Sequence, residues 1–159
     1  MTSIAEIRAG SIKAIHEQII GGKVGEFTVD LLSTITPIFS CWVKNNVGRE
    51  TTNRTVTGRA PNEDIEIKID GLVEKYIVIT ARRLVRRHGL SFAVLSEHNN
   101  DDILNEGQPH FTMVLDPFEN SDEYKRRLPT PPFSHFQIYH KRGEPIAAGA
   151  ANLATGQMY

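Results

Sequence analysis

The stretch Val114-Leu115-Asp116-Pro117-Phe118-Glu119-Asn120-Ser121 decides how the rest of the chain is read. An apolar run from Phe111 to Leu115 ends in an aspartate, then a proline, then a second acid three residues after the first. This order predicts a buried strand that stops at Asp116, a sharp turn at Pro117, and two carboxylates aimed at one small volume. Close carboxylates repel each other unless something positive sits between them. Hard divalent cations such as magnesium take oxygen ligands of this kind, often together with a phosphate. Another apolar run, Phe92-Ala93-Val94-Leu95-Ser96-Glu97, also ends in an acid. Two strands that each finish in an acid predict a shared site on turns held by a rigid scaffold, with the carboxylates of Glu97, Asp116 and Glu119 converging.

The chain has 159 residues, the size of one domain with a substantial core. A hydrophobic content of 40% and a charged content of 23% are those of an ordinary globular protein. The net charge of -1 gives no reason to expect a nucleic-acid or membrane partner. Cys41 is the single cysteine, which excludes an intrachain disulfide and a cysteine-built zinc site. Neither a signal-peptide core nor a membrane-length apolar run is present, so a cytoplasmic protein is the expectation.

Helical spacing predicts a first helix over 3–20, stopped by Gly21-Gly22, and a second over 26–46, built on Phe27, Leu31, Leu32, Ile35, Ile38, Phe39 and Trp42 and kinked or divided at Pro37. The polar span 45–62 reads as a loop. Strict alternation over 64–70 reads as a short strand, and 71–88 as a third helix burying Leu72, Val73, Tyr76, Ile77, Leu84 and Val85. Strands are expected at 91–96 and 111–115, a short polar helix near 121–127, and a proline-rich turn at 129–132. Ser134–His140 and Pro145–Leu153 read as a hairpin, and Gln157-Met158-Tyr159 as a further strand just begun. Helices first and antiparallel strands later predict an α+β fold, with helices layered on a largely antiparallel sheet.

Several residues also have plain structural readings. Asp70 is a good helix N-cap. Ser121 is a second one, followed by the first-turn acids Asp122 and Glu123. Glu97 also has a plain reading as an exposed strand-end acid. Arg82, Arg83, Arg86 and Arg87 read as a solvated face, and Cys41 beside Trp42 as a core residue. His135 and His140 fall on opposite faces of one strand, which argues against a zinc site there.

Taken in order, Asp70 before a helix, the strand-end Glu97, Asp116-Pro117 with Glu119 and Ser121, then Gly143-Glu144-Pro145-Ile146-Ala147-Ala148-Gly149 and Thr155-Gly156-Gln157-Met158-Tyr159 resemble the inositol monophosphatase family of magnesium-dependent, lithium-sensitive phosphatases. The likeness covers 64–159 well and the N-terminal helices loosely. It treats 1–159 as a single domain similar to the N-terminal, metal-binding half of that sugar-phosphatase fold. Glu119 stands where the family has aspartate, Asn120 where it has glycine, and His98 where it has a second acid.

The resemblance implies that Glu97 and Asp116 share one magnesium with the backbone carbonyl of Phe118, that Glu119 holds a second, and that Ser121, oriented by Asp70, positions the attacking water. It implies a magnesium-dependent phosphomonoesterase acting on a small sugar or nucleotide phosphate. The alternative is a catalytically impaired relative acting as a subunit or as a metal- or phosphate-binding module. The family's later aspartate has no counterpart, since no aspartate follows Asp122. The expected partners are therefore a small phosphorylated substrate together with either a second copy of this chain or a second-half partner chain, and neither nucleic acid nor membrane.

If these acids cluster, their repulsion destabilises the metal-free fold and magnesium relieves it. Thermal melts should shift upward with millimolar magnesium in the wild type and should not shift in Asp116→Asn.

Overall fold

One helix, α1 (Ile4–Asn46), occupies the region where the sequence predicts two. The computed structural model describes residues 4–46, 68–96, 100–104, 108–120, 130–141 and 143–159, with side chains within 21–45, 71–96, 104, 108–120, 130–141 and 143–159. Gly21-Gly22 does not stop α1, and Pro37 does not divide it. A glycine inside a helix costs only about 1 kcal/mol relative to alanine, and a glycine stop requires a left-handed residue. Neither Gly21 nor Gly22 is among the residues with positive φ. Packing then prevails, because Val24, Phe27, Leu31, Leu32, Ile35, Phe39 and Val43 form a buried stripe that runs past Pro37 on both sides.

The second helix, α2 (Lys68–His88), begins earlier than its apolar pattern suggests, so 68–70 is helical rather than the end of a strand. Residues 64–67 lie outside the described residues, as do most of the predicted 45–62 loop and the whole 121–127 helix. At the other end of α2, Gly89 has φ 64°. Its N–H donates to the Arg86 carbonyl and that of Leu90 to the Val85 carbonyl. This pair of bonds is a Schellman cap, and the left-handed residue explains the glycine. His88 straps α2 to α1, with Nε2 at 3.0 Å from Asp30 Oδ2.

Among the described residues, six strands make one sheet in the order β2-β1-β3-β4-β5-β6: β1 (Phe92–Ser96), β2 (Asn100–Leu104), β3 (Phe111–Glu119), β4 (Phe133–His140), β5 (Pro145–Asn152) and β6 (Gln157–Met158). β1 and β3 are parallel, and every other neighbouring pair is antiparallel. The expected α+β architecture, the β4–β5 hairpin and the closing strand are all present. β2 was not expected. Its apolar content is confined to Ile103 and Leu104, too little to produce an alternating pattern.

β3 does not stop at Asp116. It continues through Pro117 to Glu119, with the ladder to β4 slipping between Asp116 and Glu119. A proline cannot donate to the ladder and is tolerated at such an irregularity. Phe118, only 3% exposed, keeps this extension against the core. The turn comes at Asn120, whose φ of 66° is left-handed.

α1 and α2 cover one face of the sheet. Phe111, Met113 and Leu115 of β3 and Phe136 and Ile138 of β4 point into that core, as period-two alternation requires. Phe27 of α1 stacks on Phe92 at 4.9 Å, and Phe92 meets Phe111 at 5.4 Å. Four residues expected in the core lie outside it. Leu72 and Tyr76 of α2 and Ile38 of α1 are exposed, edging a groove between the helices. Cys41 is also exposed, with Asn45 Nδ2 at 3.4 Å from its Sγ. The buried stripe of α1 runs through Phe39 and Val43 and leaves position 41 off its axis.

Gly149 of β5 lies where Leu32 of α1 packs on the sheet. A Cβ there would lie 2.9 Å from Phe136 Cζ and 3.0 Å from Leu32 Cδ1. Gly149→Ala should therefore destabilise by about 1–3 kcal/mol through overpacking. Gly22→Ala, which meets nothing within 4 Å, should be neutral or stabilising by up to about 1 kcal/mol. Urea unfolding of the two variants checks both signs.

Candidate functional site

The site is built by the parallel ladder between β1 and β3. Its last pair is Ser96↔Leu115, so Asp116 is the next residue of β3 at the point where β1 leads into Glu97. Glu97 and Ser121 lie outside the described residues. Asp70 lies in the first turn of α2, and its side chain is outside the described set.

Asp116 is half-buried on the sheet face away from the helices. Directly opposite, on β4, is His135. Opposed residues in an antiparallel pair carry their side chains on the same face, with Cβ atoms about 4.5–5.5 Å apart. Asp116 and His135, with Leu95, Ser96, Val114, Leu115 and Gln137, line an open cleft of ≈ 390 Å³. Leu95, Val114 and Leu115 give it apolar surface and Ser96, Asp116, His135 and Gln137 give it polar groups, a mixture that suits a small ligand.

Glu119 Oε2 lies 3.5 Å from His135 Nδ1. With the two side chains 50% and 37% exposed, this contact is worth little, yet it gives the carboxylate a neighbour that the sequence did not reveal. Phe118 buries its ring in the core. Asn120 donates from Nδ2 to the Pro131 carbonyl at 3.2 Å, which ties the end of β3 to the approach to β4.

Aspartate, glutamate and a backbone carbonyl form a donor set of hard oxygens, which suits magnesium. Among the described residues, no group of three His, Cys, Asp or Glu side chains closes on a metal position, and Glu97 is not one of those residues. Donors of these types would suit a divalent cation, while the described geometry sets Glu119 against an imidazole.

Sequence reading missed Glu74. This α2 residue is 2% exposed, and its Oε1 accepts a hydrogen bond from Ser96 Oγ at 2.5 Å. A signal was available, since Glu74 follows Asp70 by one helical turn and sits between Val73 and Ile77 of the buried face. His135 left no comparable signal, because its place opposite Asp116 depends on strand register.

No protein-family model matches the sequence, and no curated protein matches it significantly. The likeness lies in the fold. The extragenic suppressor protein suhB from Bartonella henselae superposes with a TM-score of 0.59 at 12% identity, over 82% of this chain and 46% of that one. The fructose-1,6-bisphosphatase of Leishmania major gives 0.59 at 12% identity, over 81% and 44%. A staphylococcal IMPase-I gives 0.52 at 11% identity, over 99% and 48%. The chain therefore has the α+β architecture found in part of these proteins, and it spans under half the length of each.

Asn120 offers a direct test of local geometry. A left-handed conformation costs most L-residues about 1–2 kcal/mol, so Asn120→Ala should lose roughly that much stability. Asn120→Gly should lose less, being free of the backbone penalty. Thermal melts of the pair would reveal the order.

Proposed function

We propose that this chain provides the cation- and phosphate-binding part of a magnesium-dependent phosphomonoesterase of the inositol monophosphatase kind, acting on a small sugar or nucleotide phosphate. The observation that carries this reading is the parallel β1–β3 register, which sets Asp116 beside the end of the strand leading into Glu97. The shared architecture with suhB, the bisphosphatase and the IMPase supports it.

In this reading Glu97, Asp116 and the Phe118 carbonyl hold one magnesium, and Glu119 holds another. When bound, the metal polarises a phosphate oxygen and lowers the pKa of a nearby water. Ser121 orients that water, Asp70 fixes the Ser121 hydroxyl, and the cleft beside His135 and Gln137 receives the substrate. No helix among the described residues is long and apolar enough to cross a membrane.

A second reading is favoured by the Glu119–His135 contact, which competes for the carboxylate of the second metal. Here the chain binds a cation or phosphate without turnover and acts as a subunit beside another chain. One assay puts the second reading at risk: the purified chain is incubated with magnesium and a panel of sugar and nucleotide phosphates. We expect poor turnover or none from the chain by itself, because in-line attack requires both metals and a fixed substrate. Robust turnover from a verified monomer, abolished by Asp116→Asn, would show that this half is sufficient and would reject the binding-module reading.

A further inference from the structure

Glu74 is the most deeply buried carboxylate among the described residues, at 2% exposure. It forms no ion pair with any described cation. Its described partner is neutral, the hydroxyl of Ser96, which donates at 2.5 Å. Burying a carboxylate is expensive unless it is paired or serves a purpose. The surrounding face of α2 is apolar, made of Val73, Ile77 and Val78, and replacing both members of a buried polar pair by apolar groups is often neutral or stabilising. Packing by itself therefore gives no reason for an acid at this position.

Its location gives one. Ser96 is the last residue of β1, is 8% exposed, and pairs with Leu115 immediately before Asp116. We infer that Glu74 is a positioning residue for a divalent cation held where β1 and β3 end, an inference that rests on the cation-binding reading above. It acts in two ways. The Ser96 bond fixes the end of β1 to α2, the helix that also carries Asp70 one turn earlier. The charge of Glu74, buried behind the strand ends, adds negative potential in a region of low dielectric, where it strengthens the hold on a cation. Outer groups that hold ligands in place typically change metal affinity by about 10–100-fold when removed.

Titration calorimetry of the full chain with magnesium chloride, and separately with manganese chloride, tests this. Urea unfolding of each variant without cation provides the structural control. Glu74→Gln keeps an oxygen that can accept the Ser96 hydrogen bond and removes only the charge. It should weaken cation binding by about 10–100-fold while leaving cation-free stability unchanged or higher. Ser96→Ala removes the bond with little change in volume and should weaken binding as well.

If Glu74→Gln and Ser96→Ala bind magnesium as tightly as wild type, while Asp116→Asn does not bind, Glu74 is only a helix–strand strap and the inference falls with the cation site intact. If wild type binds neither cation, or Asp116→Asn binds like wild type, the cation reading itself falls and takes this inference with it. Should Glu74→Gln not fold, Ser96→Ala decides alone, and unchanged affinity in that variant overturns the proposal.

Discussion

Five parallel pairs, from Phe92↔Phe111 to Ser96↔Leu115, join β1 to β3 inside a sheet that is otherwise antiparallel. Parallel neighbours run in the same direction, so their C-terminal ends come to the same edge of the sheet. A hairpin between these strands would have placed the end of one beside the start of the other. Inserting β2 on the outer side of β1 allows the chain to reverse and return, so that β3 begins where β1 begins. The N–H groups of His110 and Phe111 both donate to the Ser91 carbonyl, fixing that common start. Everything proposed about the site follows from this shared direction.

The sheet's two faces then diverge in chemistry. The helix side is an apolar core in which Phe27, Phe92 and Phe111 are in ring contact. The other face carries Leu95, Val114, Asp116, His135 and Gln137 around an open cleft. Ser96 and Glu74 are buried on the helix side, so the strand end is held from behind while Asp116 remains accessible in front. That division lets a rigid support and a solvent-reached carboxylate occupy neighbouring positions on adjacent strands.

Single residues show why local signals sometimes fail here. Gly21, Gly22 and Pro37 are strong helix punctuators in isolation, yet α1 passes all three. Each penalty is local, of order 1–3 kcal/mol, while the buried stripe from Val24 to Val43 spans the whole packing interface. Pro117 follows the same logic in a strand, because Phe118 anchors the residues beyond it. Leu72, Tyr76 and Ile38 fail in the other direction. They fit an apolar helical pattern, but they edge the groove between α1 and α2 and stay exposed there.

By itself the sequence determined the α+β class, the succession of helices before strands, the β4–β5 hairpin and the acids at or near strand ends. Those features follow from periodicity and turn chemistry, which act over a few residues. It also supplied the order of Asp70, Asp116 and Glu119 along the chain. Only the tertiary structure decided that β1 and β3 run parallel, that Asp116 faces His135, that Glu119 lies beside that imidazole, and that Glu74 is buried against Ser96. These depend on strand register and on which helix face meets the sheet. Alternation along a strand tells which of its residues face the core, but not which residue of a neighbouring strand stands opposite each one.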